Sequence, residues 1–142
     1  MDKKKILQLI KEDKFEFDKL PEQYKKDKDI FLLAVKIHSY ALKHADESLK
    51  KDKTIVIAAV KNAGYALEHA DESLKKDKEI VLAAVKNFGT SLMNADESLK
   101  KDKEIVLAAV KQDAYAMNFA DSRFIDDKDF RDYLYELEGY DF

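Results

Sequence analysis

The chain has 142 residues, 46% hydrophobic and 39% charged, with a net charge of −3, three glycines, one proline and no cysteine. This length suits one domain with a sizeable core, and the balance is globular with an unusually charged surface, not disordered. So few Gly and Pro exclude an all-β fold with frequent turns. The lack of Cys excludes a disulfide framework, a thiolate metal site and a Cys nucleophile, and a mildly acidic total gives no global pull toward nucleic acid.

Residues 1–19 read as half of a unit that recurs downstream. Ile6, Leu7, Leu9 and Ile10 precede Phe31, Leu32, Ala34 and Val35 by 25 residues. Asp2 is placed to cap this first helix, and the lysines after it oppose the helix dipole, so the first turn should fray. The stretch Met1–Lys14 is too polar for a signal peptide. Apolar runs of about six residues elsewhere fall short of the roughly 20 that span a membrane.

The segment Ala70–Lys86 recurs unchanged as Ala95–Lys111, nearly unchanged as Ala45–Lys61, and more weakly as Leu20–Lys36. Asp27, Asp52, Asp77, Asp102 and Asp127 share one register. A period of this length predicts an all-α chain, a short α-solenoid of 25-residue repeats with two to three short helices each. The units are 20–44, 45–69, 70–94 and 95–119, between an N-terminal capping helix (1–19) and a divergent C-terminal cap (120–142).

Within a unit, Asp77 to Asn87 reads as a helix with Asp77 as N-cap and Glu79 in its first turn. Ile80 to Val85 is wholly apolar. A buried strand competes for it, but Ala83, Ala84, Lys86 and the acidic cap favour helix. Such a helix must be covered on several sides, as between neighbouring units. A second helical segment runs from about Gly89 to Leu99, with Leu92, Ala95 and Leu99 as its stripe and a bend near the Ala–Asp step. Pro21 at the register of Asp46, Asp71 and Asp96 suggests that the DESLKK stretch is a short helix of its own. Ser39 and Ala114 replace Gly64 and Gly89, so that position implies close helix packing or a helix start, and not an obligatory positive φ. Two helices of about ten residues per unit, stacking roughly 8–10 Å apart, predict a short curved rod with local contacts.

In the C-terminal cap, Arg131 and Asp132 replace an apolar pair, and Tyr133, Leu134 and Tyr135 replace Ala-Ala-Val. Polar residues suit an end without a neighbour, and the larger side chains are expected to close over it. Tyr133, Tyr135, Tyr140 and Phe142 read as cap packing or a dimer contact, with Gly139 to Phe142 as a tail. The acid excess concentrates in residues 112–142, nine acids against three bases.

The capping Asp (Asp52, Asp77, Asp102), the Val-x-x-Ala-Val core (Val56 to Val60, Val81 to Val85) and the Gly-x-x-Leu-x-x-Ala link (Gly64 to Ala70, Gly89 to Ala95) carry a resemblance. Over about residues 20–130 the chain resembles a bacterial and protist repeat family defined only as a domain of unknown function, DUF4116. The resemblance implies an all-helical repeat and no activity, substrate or catalytic residue.

His44 and His69 share a register, but units about 9 Å apart do not bring two imidazoles to one metal at about 2.1 Å; His38 stands alone. The Asp–Glu pairs at 46–47, 71–72 and 96–97 read as helix N-terminal charge, since catalysis needs unlike environments for the two acids. The Asp-rich stretch 121–132 lacks the Gly and closing Glu of a calcium loop. No cofactor and no catalytic residue is assigned.

Two surface rows remain. Lys50, Lys51, Lys75, Lys76, Lys100 and Lys101 form a candidate polyanion row, with Lys36, Lys61, Lys86 and Lys111 as another ladder. Each pair is followed by Asp, so a solvated mixed-charge face weighs more. Tyr40, Tyr65, Thr90 and Tyr115 form a candidate partner row; from sequence alone, core packing weighs more for them than binding. The sequence therefore reads as a non-enzymatic scaffold for an unidentified protein or peptide, cytoplasmic, off the membrane, monomeric or weakly dimeric. The alternative is nucleic-acid or polyanion binding through the lysines.

Overall fold

The computed structural model describes residues 1–138. Its α-helices are α1 (Lys3–Lys11), α2 (Lys28–Ile37), α3 (Glu47–Lys50), α4 (Lys53–Asn62), α5 (Lys78–Asn87), α6 (Lys103–Gln112), α7 (Ser122–Asp126) and α8 (Lys128–Glu138). The described residues contain no strand, so the apolar run Ile80–Val85 is helix. Gly139 to Phe142, and with them Tyr140 and Phe142, lie outside the described residues.

The Asp register starts the long helices. Asp77 Oδ1 accepts the amides of Glu79 and Ile80 at 3.0 and 3.3 Å, and Asp52 and Asp27 do the same one and two units earlier. Each such cap is worth about 1 kcal/mol. Asp13, just past α1, is left-handed (φ 57°), but α4, α5 and α6 end without such a residue. Ala63, Phe88 and Asp113 are extended, yet their N–H groups still donate to Ala59, Ala84 and Ala109.

The segment after each long helix is not a second ten-residue α-helix. It is a six-residue 3₁₀ strap, Ser39–His44, Gly64–His69, Gly89–Asn94 or Ala114–Phe119. Three residues per turn place Gly64, Leu67 and Ala70 on one inward face, and all three are buried. The chain then bends at the Ala–Asp step, where Ala95 is extended (φ −73°, ψ 154°). The DESLKK segment is α-helical in α3 only; it is a turn at 72–76 and a 3₁₀ turn at Leu99–Lys101. A segment this short sits at the nucleation limit of a helix.

Substantial contacts run within a repeat or between neighbours, α1 on α2, α2 on α4, α4 on α5 and α5 on α6, with the straps stacked alongside. The core lies between the two layers. Ile80, Val81, Ala84 and Val85 of α5 meet Leu67 and Leu92 of the straps, all fully buried, at about 1.5–3 kcal/mol for each larger side chain. The opposite side of the helix is not covered as its composition predicts: Leu82 and Ala83 are only half-buried.

Three inter-repeat links recur in register. The amides of Asp46, Asp71, Asp96 and Asp121 donate to the carbonyls of Lys25, Lys50, Lys75 and Lys100 at 2.9–3.0 Å. Lys3, Lys28, Lys53 and Lys78 pair with Asp27, Asp52, Asp77 and Asp102 at 2.8–3.0 Å. The side-chain oxygens of Asn87 and Gln112 accept the N–H of Gly64 and Gly89, donors that the strap leaves without a local partner. A Cβ on Gly64 would collide with the Ala84 carbonyl oxygen, so glycine is there for close approach.

In the C-terminal cap, Phe124, Phe130 and Leu134 close the core, while Tyr133 and Tyr135 are 41% and 62% exposed. The helical spacing of Phe130 and Leu134 gives them the inward face, and the two tyrosines between and beyond point elsewhere. The Lys103 ammonium, whose counterparts bridge to the next Asp, instead sits over the Tyr133 ring, 5.5 Å from its centre. At the other end, Lys3 is drawn to Asp27 and Asp29, which offsets the lysine-rich start of α1.

Candidate interaction surface

The tyrosine row is exposed and not part of the core. Tyr40, Tyr65 and Tyr115 are 44%, 49% and 63% accessible, each the second residue of its strap, and Thr90 is half-buried. Phe88, two residues before Thr90, is 42% exposed and meets the Tyr65 ring edge-on, centroids 6.1 Å apart. The aromatic row therefore continues across the repeat in which tyrosine is missing. The buried Phe17 backs its N-terminal end, 5.8 Å from Tyr40 and stacked on His44 at 6.1 Å. The buried Ser39 hydroxyl donates to Tyr65 Oη at 3.3 Å, fixing that ring against the preceding strap. Phe88 sits at the register of Ala63, so no repeat pattern marks it; only alignment of the aromatic residues near each strap would have found it.

The lysine row divides. Lys50, Lys75 and Lys100 are half-buried and paired with Glu47, Glu72 and Glu97 at 3.0, 2.9 and 2.8 Å. Lys51, Lys76 and Lys101 are exposed, and their charges act on Asp71, Asp96 and Asp121. The hydroxyl and then the amide of Ser73 hold the Asp71 carboxyl below its ordinary range, with Ser48 and Ser98 doing the same for Asp46 and Asp96. The recurring Asp–Glu pairs thus share one environment.

The histidines are local. His44 Nδ1 lies 3.4 Å from Asp18, and His38 Nε2 lies 2.6 Å from Asp13. Burial pushes the His44 and His69 imidazoles down, against smaller upward pulls from Asp18 and Glu68. Among the described residues no three His, Asp or Glu side chains converge as a metal-holding group. No described helix is long and apolar enough to cross a membrane.

The two-layer stack and its recurring links define a helical-repeat protein. The family model for a domain of unknown function (DUF4116) matches residues 2–50, 30–75, 52–100 and 77–125. The chain belongs to this DUF4116 family. No curated protein matches it, and no solved structure does.

Proposed function

We propose that the chain is a non-enzymatic scaffold that binds a protein or peptide along its strap face, through Tyr40, Tyr65, Phe88 and Tyr115. The observation that carries this reading is the one exposed aromatic side chain per repeat, on the strap at Tyr40, Tyr65 and Tyr115 and just before it at Phe88. Exposed aromatic rows of this kind are costly to leave bare and supply most of the energy in protein interfaces. A scaffold needs no asymmetric pair of acids, and the recurrent Asp–Ser units offer none. The polyanion reading is weaker, because half of its lysines already hold a carboxylate. A cysteine-free chain fits a cytoplasmic setting.

The test is affinity capture with the wild-type chain and with the triple variant Tyr40→Ala, Tyr65→Ala, Tyr115→Ala, followed by titration of the purified captured protein. Saturable binding that drops by about tenfold or more in the triple variant supports the reading. Capture and affinity that are the same for both chains contradict it.

A further inference from the structure

The second surface lies on the helix layer, away from the straps. Between α4 and α5 runs an open groove of about 530 Å³ lined by Ile57, Leu82 and Ala83, with Lys61, Lys86 and Glu79 at its edges. One unit on, Lys86, Ala108, Lys111 and Gln112 line its counterpart. The groove therefore repeats with the chain, and its floor is the half-buried side of the apolar runs at 55–60 and 80–85.

The two edges differ in charge state. Glu79 and Glu104 on one edge are neutralised by Lys53 and Lys78, at 2.7 and 2.8 Å. Among the described residues no carboxylate pairs with Lys61 or Lys86 on the other edge. The surface between α4 and α5 is thus an apolar strip with Lys61 and Lys86 as an uncompensated basic margin. Its complement is a strip of apolar groups with one acidic margin.

The repeat also sets a spacing. Packed helices stand roughly 8–10 Å apart. A chain in the polyproline II conformation turns once in three residues and rises about 9.3 Å in doing so. An apolar side chain at every third position then meets one groove per turn, with its acidic neighbour on the lysine side.

We propose that the α4–α5–α6 face binds an extended acidic peptide segment of a partner protein, with apolar side chains seated on Ile57, Leu82 and Ala83 and carboxylates on Lys61 and Lys86. This site does not depend on the aromatic strap row. The probe is a fluorescent peptide of repeated proline–leucine–glutamate triplets, titrated by anisotropy against the full chain. A second peptide carries lysine in place of glutamate.

Saturable binding of the glutamate peptide is expected, with none of the lysine peptide. Affinity is expected to drop about tenfold or more in Lys61→Glu/Lys86→Glu and in Ala83→Arg, which blocks the floor while keeping the basic edge. Tyr65→Ala is expected to leave it unchanged, which separates this site from the strap row. Helical circular dichroism confirms that each variant is folded. Absence of binding by the glutamate peptide, equal binding of both peptides, or an affinity unmoved by the charge reversal overturns the proposal.

Discussion

The Lys53 ammonium on α4 lies 3.0 Å from the carboxylate of Asp77, the residue that caps α5. One carboxylate thus serves two ends: it closes the first turn of its own helix and anchors the helix before it. The two roles carry different energies. The cap satisfies backbone donors and is worth about 1 kcal/mol. The ion pair, whose lysine is 47% exposed, is screened by solvent and adds less. Asp77→Ala is therefore expected to lower the urea midpoint more than Lys53→Met does. Equal losses would show that the cap adds nothing beyond the pair.

Acid should weaken the fold in two windows. His44 and His69 have imidazoles pushed below 6.5 by burial, so the neutral form is favoured in the folded chain. Their contribution is complete above about pH 6.5 and fades as pH falls through their folded values. Asp46, Asp71 and Asp96 lie below 3.8 because of the serine hydroxyl and amide they hold. Their contribution is complete above about pH 4 and is lost below it. Asp77 joins them: partial burial pushes its carboxyl up, but Lys53 and the capped amides outweigh that. Urea midpoints across pH should decline first below about 6.5. The double variant His44→Asn/His69→Asn should flatten that first decline, since Asn94 already occupies the register. An unchanged decline would assign it elsewhere.

Ser91 is buried, and its hydroxyl is the one buried side-chain polar atom among the described residues without a partner. The same register holds Ala41, Ala66 and Ala116. An unsatisfied buried hydroxyl costs about 1 kcal/mol or more. Ser91→Ala is expected to raise stability by about that amount, read as a higher urea midpoint at constant slope. A lower midpoint would mean that the hydroxyl holds a bond.

The repeat register, the Asp caps and the long helices are legible in the sequence because each arises from local chemistry: a carboxylate before an apolar run, recurring every 25 residues. The strap is less legible. The spacing of Leu92, Ala95 and Leu99 fits an α-helix, while the chain forms a 3₁₀ strap; at Gly64 and Gly89 its first amide finds an acceptor in the next repeat, on Asn87 or Gln112. An amide recurring after the helix-end lysine was the available signal. The exposure of Tyr40, Tyr65 and Tyr115 is a tertiary outcome: the straps bury their Ala and Leu positions and leave the second residue outside. The split of the lysine row likewise depends on which member of each pair reaches the Glu three residues earlier.

Each repeat is held only by its neighbours, and on this the rest of the physical account depends. Deletion of residues 70–94 joins His69 to Ala95 in register and sets Lys53 opposite Asp102 and Gly64 opposite Gln112. Urea unfolding of this variant measures the dependence directly. A chain that still unfolds cooperatively, with lower stability and a smaller slope in keeping with one repeat's buried surface, is the predicted result. A chain that no longer folds, or one whose stability and slope match the wild type, would contradict it.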